Sequence, residues 1–189
     1  MSGSGDSEYE ALALISARVA TEYEGEESAW VGSPFEWIKH RPSRTKGAIG
    51  EKIISSWLMA KGFAVARAPD SDADRVINGH RFEVKFSTLW KTGLYKFQQF
   101  RDQDYEAVIC LGVSPFDAHC WVIPKFEVMS RWQLSQTEKR SIDGVRGQHA
   151  EGSETAWLEV SPPQPWGWLS PYGGSLERAA AVLSTLASP

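Results

Sequence analysis

Apolar side chains recur at helical spacing in two long segments of the chain. In residues 46–61, Ile53, Ile54 and Leu58 mark one stripe, and Gly62 supplies a signal for the end of a helix. Spacing or composition predicts helices at residues 8–23, 46–61, 95–101, 126–133 and 175–186. Shorter apolar runs predict strands at residues 63–67, 105–113, 119–123 and 157–160.

The strongest local signal is Asn78-Gly79, which lies between two strand-like arms in residues 74–85. Asn-Gly favours a two-residue type I′ turn, and such a turn fixes the register of the hairpin. Counting outward from the turn places Asp74 opposite Glu83, so that two carboxylates face each other. With the neighbouring helices and strands, the hairpin predicts an α/β fold in which a mixed central sheet of about five strands is flanked by helices.

Length and composition indicate one globular domain with extensions. The chain has 189 residues, of which 42% are hydrophobic and 23% charged, values that argue against disorder. Residues 1–36 carry eight acids against one base, whereas residues 39–101 carry 13 bases against five acids. A basic segment of this kind is typical of proteins that bind nucleic acid. We therefore expect an acidic N-terminal helical extension over residues 1–36 and a single domain over residues 37–189.

Cys110 and Cys120 lie in apolar runs, where reduced and buried thiols are expected, and this fits a cytoplasmic protein. The sequence has no signal-like N-terminal pattern and no apolar stretch of about 18 residues, so we expect no membrane insertion. The four histidines lack zinc-ligand spacing, and no Gly-rich phosphate loop is present. Neither zinc nor a nucleotide cofactor is therefore expected.

Asp74, Glu83 and Lys85 form the strongest candidate for chemistry. Lys85 lies two residues beyond Glu83 and therefore shares its face of the strand. Opposed carboxylates are destabilising unless a cation lies between them, and Mg²⁺ is commonly held by one or two carboxylates with waters and phosphate oxygens. Glu51, on the helix before the hairpin, is a candidate fourth member of the site.

Three motifs together resemble the PD-(D/E)xK, or restriction-endonuclease-like, nuclease superfamily: Gly47-Ala48-Ile49-Gly50-Glu51 on a helix, Asp74 on a strand and Glu83-Val84-Lys85 on the next strand. The order of predicted elements over residues 45–125 also matches that family. The resemblance implies that Asp74, Glu83 and the Val84 carbonyl hold Mg²⁺, with Mn²⁺ as a substitute. It also implies that Lys85 orients the attacking water and that Glu51 assists.

The assignment of the aspartate has two alternatives. Ala73 precedes Asp74, whereas the literal Pro-Asp pair of the family is Pro69-Asp70, so the motif also fits Asp70. Asp72 is the second alternative because it shares a strand face with Asp74. The pairing expected for the hairpin favours Asp74.

Basic and amide side chains around this core are the candidate DNA contacts: Lys46, Lys91, Lys96, Gln98, Arg101, Arg146, Gln148 and His149. Family members often have a Gln and basic residues near DNA at the place of the helix predicted over residues 95–101. The loop over residues 144–149 is a candidate specificity loop, because Arg and Gln read guanine and adenine edges bidentately. An ordinary hairpin loop fits these residues equally well.

The resemblance implies a Mg²⁺-dependent DNA endonuclease, with a catalytic core over residues 45–125 and specificity or dimerisation elements over residues 126–189. The expected type is a small type II restriction enzyme that cuts double-stranded DNA as a homodimer. A Holliday-junction resolvase or a repair nuclease would have the same core. A non-cleaving DNA-binding module, such as a reader of modified bases or a subunit of a defence complex, is the alternative from a different class.

Overall fold

The computed structural model describes residues 4–21, 29–147 and 155–188. The helices are α1 (Ser4–Thr21), α2 (Glu36–Lys39), α3 (Ser43–Ala60), α4 (Lys125–Glu138), a 3₁₀ helix (Gly167–Tyr172) and α5 (Leu176–Leu186). The strands are β1 (Val65–Arg67), β2 (Arg75–Ile77), β3 (His80–Thr88), β4 (Tyr95–Phe100), β5 (Ala107–Val113), β6 (Ala118–Pro124), β7 (Val145–Gly147) and β8 (Ala156–Val160). The predicted α/β class is confirmed.

The larger sheet has five strands in the order β1-β2-β3-β5-β6. Strand β3 runs parallel to β5, and the other neighbours pair antiparallel, so the sheet is mixed as predicted. Every residue of β5 is buried, because a strand covered on both faces is apolar along its whole length. Helix α3 packs against β3, and α5 packs against β6.

The β2-β3 hairpin has the predicted register. Both residues of its Asn-Gly turn have left-handed φ angles, 50° and 92°, as a type I′ turn requires. The ladder ends at the pair Arg75 and Phe82. Asp74 lies one residue beyond the ladder, and its N–H donates to the Phe82 carbonyl at 3.0 Å. The backbone of Asp74 is therefore not paired with that of Glu83 as predicted, although their carboxyl groups do meet in the structure.

Residues 95–101 do not form the predicted helix. They form β4, the edge of a second sheet whose three strands have the order β4-β8-β7. Tyr95, Phe97 and Phe100 are fully buried, and a bulge between Phe97 and Phe100, with a φ of 61° at Gln99, turns Phe100 back to the core. The bulge breaks the two-residue alternation of the strand. The resulting spacing of apolar residues imitates that of a helix, which explains the wrong prediction.

Two hydrophobic clusters lie on opposite faces of the larger sheet. Phe82 and Val84 of β3 belong to the first cluster, with apolar side chains of α3 and α5. The second cluster joins β5 and β6 to the second sheet and α4. Because side chains alternate along a strand, Glu83 and Lys85 project from the face opposite to Phe82 and Val84.

The two cysteines and the N-terminal helix agree with the sequence predictions. Cys110 and Cys120 are buried free thiols, as predicted. Helix α1 agrees with the helix predicted over residues 8–23, whose last two residues lie outside the described ones. Trp30, which precedes the expected domain boundary at residue 37, is buried in the first cluster. No helix in the described part of the chain is long and apolar enough to cross a membrane.

Candidate active site

A cleft of about 970 Å³ opens between the first half of α3, the strand β3 and the loop and strand that follow β3. The loop is closed by hydrogen bonds between Trp90 N–H and the Leu94 carbonyl at 3.0 Å and between Gly93 N–H and the Trp90 carbonyl at 2.9 Å. The Lys96 N–H donates to Ser87 Oγ at 2.9 Å and so ties the start of β4 to the end of β3. Two strands from different sheets therefore border the same cleft.

Asp74, Glu83 and Lys85 come together in this cleft. Asp74 Oδ2 accepts a hydrogen bond from the Val84 N–H at 2.8 Å, which holds the Asp74 carboxylate against β3. Lys85 Nζ lies 2.5 Å from Glu83 Oε1, and only 14% and 12% of these two side chains are exposed. The ring centroid of Phe100 lies 5.9 Å from Lys85 Nζ. The structure thus brings together the three side chains that the sequence predicted.

The carboxyl groups of the cleft act on one another. Burial raises the pKa of Glu83, and the charge of Asp74 and a hydrogen bond with it raise this pKa further, while the ammonium of Lys85 opposes the shift. Burial also raises the pKa of Glu51, again with a contribution from the charge of Asp74, while Arg75 opposes the shift. Like charges at close range favour the binding of a cation between them.

Gly50 allows α3 to bring Glu51 into the site. A Cβ atom on Gly50 would lie 2.2 Å from Cβ of Phe86, so any larger residue would push α3 away from β3. Glu51 Oε2 lies 3.1 Å from Arg75 Nη2. The Arg75 Nε also donates to Ser55 Oγ at 2.7 Å. These contacts join α3 to β2 on one side of the cleft.

The two aspartates that the sequence left as alternatives lie elsewhere. Asp70 forms a bidentate ion pair with Arg81, with distances of 2.5 and 3.1 Å. Asp72 Oδ1 accepts a hydrogen bond from Gln103 Nε2 at 3.3 Å. Neither residue lines the cleft. Asp74 is therefore the aspartate that the fold brings beside Glu83.

Half of the predicted DNA contacts line the cleft: Lys46, Lys91, Lys96 and Gln98. Arg101 is exposed outside it. Arg146 lies on β7, where its Nη2 is 3.1 Å from Glu159 Oε1. Gln148 and His149 lie outside the described residues, and the predicted specificity loop is described only as far as residue 147.

The cleft also contains residues that the sequence did not single out: Lys39, Ser43, Arg44, Trp90 and Gln99. Lys39 Nζ donates to the Leu89 carbonyl at 3.2 Å. Burial lowers the pKa of Lys46, and the nearby charge of Lys39 lowers it further. The excess of bases over residues 39–101 was the signal for Lys39 and Arg44. No local pattern indicated Gln99, because its position depends on the bulge in β4.

Basic side chains outnumber acidic ones around the cleft. Its lining has three carboxylates, from Glu51, Asp74 and Glu83. Six basic side chains line it: Lys39, Arg44, Lys46, Lys85, Lys91 and Lys96. The carboxylates are clustered, and all the other charged side chains that line the cleft are basic.

The donor set fits a Mg²⁺ ion that keeps part of its water shell. Within residues 4–21, 29–147 and 155–188, no three His, Cys, Asp or Glu side chains are grouped closely enough to enclose a metal ion by themselves. Asp74 and Glu83 supply two neighbouring carboxylates. Mg²⁺ commonly binds one or two carboxylates and completes its shell with waters and substrate phosphates. Asp74 and Glu83 are the residues that would hold such an ion.

Among solved structures, the chain is similar to a bacterial homing endonuclease, I-Ssp6803I. The sequence identity is 15% and the TM-score is 0.47, and the match covers 77% of this chain and 95% of the other. No protein-family model and no curated protein matches the sequence. Because the identity and the TM-score are both low, the assignment of function rests on the geometry of the cleft.

Proposed function

We propose that the protein is a Mg²⁺-dependent endonuclease that hydrolyses phosphodiester bonds in double-stranded DNA. The observation that supports this function is the meeting of Asp74, Glu83 and Lys85 in a cleft whose other charged side chains are mainly basic. Carboxylates that hold a divalent ion, next to an ammonium group, suit the hydrolysis of phosphate esters. Basic side chains around them suit the binding of a phosphate backbone.

Asp74 and Glu83 would hold the ion, with the Val84 carbonyl as a further ligand, and Glu51, which lines the same cleft, would assist. When bound, Mg²⁺ polarises the phosphate and lowers the pKa of a coordinated water. Lys85, which is held beside Glu83, orients the attacking water and neutralises negative charge that develops on the phosphate. The tight ion pair with Glu83 and the low exposure of Lys85 fix this ammonium group before substrate arrives.

The basic side chains of the cleft position the DNA backbone. Lys39, Arg44 and Lys46 approach from α2 and α3, and Lys91 approaches from the opposite side, after β3. A duplex carries one phosphate charge per about 1.7 Å of helix axis, so several of these cations can pair with phosphates at once. Such contacts set the orientation of the duplex but carry no sequence information.

More specifically, we propose that the protein is a type II restriction enzyme that acts as a homodimer. Two equivalent sites related by a two-fold axis would cut both strands of a symmetric sequence. The amide side chains of Gln98 and Gln99 support sequence reading, because they line the same cleft as the carboxylates. A glutamine amide can bond bidentately to an adenine edge.

The test is incubation of the purified chain with supercoiled plasmid, methylated and unmethylated phage DNA, and synthetic four-way junctions, in Mg²⁺ and in EDTA. We expect discrete plasmid and phage fragments in Mg²⁺ and none in EDTA. Lys85→Ala should abolish cutting and still bind DNA. Lys52→Ala is the matched control, because Lys52 is exposed on α3 outside the cleft, and it should cut like the unchanged protein.

Two results would change the assignment. Cutting of four-way junctions alone would replace the restriction function with junction resolution. Failure to cut any substrate, with DNA binding retained, would overturn the endonuclease and favour a DNA-binding module. Gel analysis of the products distinguishes the first result, and a binding titration distinguishes the second.

A further inference from the structure

The outward side of the second sheet continues the surface of the cleft. Buried and partly exposed residues alternate along β4 and β8, so that the partly exposed ones project away from the core. We call the projecting residues the sheet face: Lys96, Gln98, Arg146, Trp157 and Glu159. Lys96 and Gln98 also line the cleft, so the sheet face begins at the site of the proposed chemistry.

A single carboxylate joins the two cations of the sheet face. Glu159 Oε1 lies 3.3 Å from Lys96 Nζ and 3.1 Å from Arg146 Nη2. Each cation also lies near an indole ring, with Lys96 Nζ 4.5 Å from the centroid of Trp90 and Arg146 Cζ 5.3 Å from that of Trp157. Solvent reaches the Arg146 end of this group, because 46% of the Arg146 side chain is exposed, whereas 25% of Glu159 and 16% of Lys96 are exposed.

At its far end, the sheet face reaches a second pocket of about 400 Å³. Among the described residues, the lining of this pocket includes Lys139, Arg140 and Arg146 and no carboxylate. Basic side chains therefore occur at both ends of the sheet face, and Glu159 lies between them. This distribution complements a polyanion that extends beyond the cleft.

The dimensions of the sheet face suit the major groove of duplex DNA. Neighbouring strands lie about 4.8 Å apart, so two neighbouring strands of this sheet form a ribbon of the kind that the major groove admits. The major groove is about 12 Å wide, and β-sheets are among the elements that proteins place in DNA grooves. Gln98 and Arg146 have the side chains that bond adenine and guanine edges bidentately.

We infer that the sheet face contacts the major groove beside the bond that is cut, and that Glu159 determines its specificity. In the free protein, Glu159 forms ion pairs with both Lys96 and Arg146. These two cations therefore bind the phosphates of DNA of arbitrary sequence weakly. When a base of the recognised sequence forms hydrogen bonds with Gln98 or Arg146, these bonds offset the loss of the ion pairs with Glu159. A contact with a phosphate alone does not offset that loss. This role rests on the proposed function, because it concerns the DNA on which the cleft would act.

The test measures binding to random-sequence duplex DNA of about 30 base pairs as a function of salt. Fluorescence anisotropy is recorded with the full chain carrying Lys85→Ala, which leaves the DNA intact. Glu159→Gln is compared with Glu177→Gln, which removes the same charge from an exposed site on α5. Arg146→Gln is compared with Arg178→Gln, which removes the same charge from α5, the helix that also carries Glu177.

Glu159→Gln should bind the random duplex about tenfold more tightly at low salt, with a salt slope steeper by about 1 to 2, because two cations become available for phosphates. Arg146→Gln should make the slope shallower by about 1. The two α5 variants should match the Lys85→Ala parent. A purely structural role of Glu159 would change thermal unfolding but not the salt slope.

Equal salt slopes for Glu159→Gln and Glu177→Gln would overturn the role of Glu159. Equal slopes for Arg146→Gln and Arg178→Gln would overturn contact between the sheet face and DNA. Neither result depends on cutting. Failure of the proposed function would instead appear as absence of cleavage by the unchanged protein in Mg²⁺, so the two failures are distinguishable.

Discussion

The two sheets of this protein arrange their carboxylates in opposite ways. On the larger sheet, Glu83 lies beside the carboxyl of Asp74, and the same charge acts on Glu51, so that acids face acids in a partly buried place. On the second sheet, Glu159 lies within 3.3 Å of two cations and has no such acidic neighbour among the described contacts. In the first arrangement three carboxylates share the two cations Lys85 and Arg75, which favours an added cation, whereas in the second a single carboxylate is shared by two cations.

This difference separates a site for chemistry from a surface for recognition. Clustered carboxylates are destabilising unless they serve to bind a cation, so their presence in a cleft points to a function. A partly exposed carboxylate such as Glu159, between two basic side chains, contributes less to stability than a buried pair and can exchange its partners for a ligand. We therefore expect substitutions of the two kinds of acid to have different consequences.

The largest expected effect compares Glu83→Gln with Glu159→Gln. Each change removes one carboxylate charge and keeps the size of the side chain. Glu83→Gln should lower the rate of DNA cleavage by about 10²- to 10³-fold, because it removes a ligand of the ion and the partner of Lys85. Glu159→Gln should leave the rate at saturating DNA within a few-fold of the unchanged protein, because it changes DNA binding and removes no ligand of the ion. Plasmid cleavage rates at saturating Mg²⁺ check this, and similar losses in both variants would contradict the distinction.

The next effect concerns the packing that brings Glu51 to the site. Gly50→Ala should lower the free energy of unfolding by about 1–3 kcal/mol, because the new methyl group overlaps the Phe86 side chain. Gly47 lies on the same helix, and a Cβ there would meet nothing within 4 Å. Gly47→Ala should therefore raise stability by about 0.5–1 kcal/mol. Urea unfolding of both variants measures the difference, and equal shifts would refute the close approach of α3 to β3.

A smaller effect is expected at the bulge of the second sheet. Gln99 has a φ of 61°, which a glycine adopts without strain. Gln99→Gly should leave the free energy of unfolding unchanged or raise it by up to about 1 kcal/mol. Gln98→Gly should lower it by about 0.5–1 kcal/mol, since glycine weakens an ordinary strand position. Chemical denaturation provides the measurement, and a larger loss for Gln99→Gly than for Gln98→Gly would contradict the described backbone.

Local patterns predicted the larger sheet well. The Asn-Gly turn determined the β2-β3 register, and the apolar run over residues 105–113 predicted the strand that the structure has as β5. Glu83 and Lys85 were placed on one face by strand alternation, and the structure brings Asp74 beside them. These predictions succeeded because turn geometry and side-chain alternation are properties of neighbouring residues.

The second sheet was beyond such local patterns. The bulge at Gln99 changed the spacing of apolar residues in β4, and the partner strand β8 begins more than 50 residues later. The pairing of Lys96 and Arg146 with one carboxylate depends on that distant partner. Contacts between distant segments are set by the packing of the whole fold, so the shared pairing of Lys96 and Arg146 with Glu159 could not be predicted from the sequence, although both residues were candidate DNA contacts.

The three aspartates of residues 70–74 allow the most direct test of the central claim. Asp74→Asn and Asp72→Asn make the same chemical change two residues apart, but only Asp74 lies in the cleft beside Glu83. Rates of supercoiled-plasmid cleavage in Mg²⁺ should fall by about 10²- to 10³-fold for Asp74→Asn and stay near the original value for Asp72→Asn. Normal cleavage by Asp74→Asn, or loss of cleavage with Asp72→Asn alone, would contradict the proposed site.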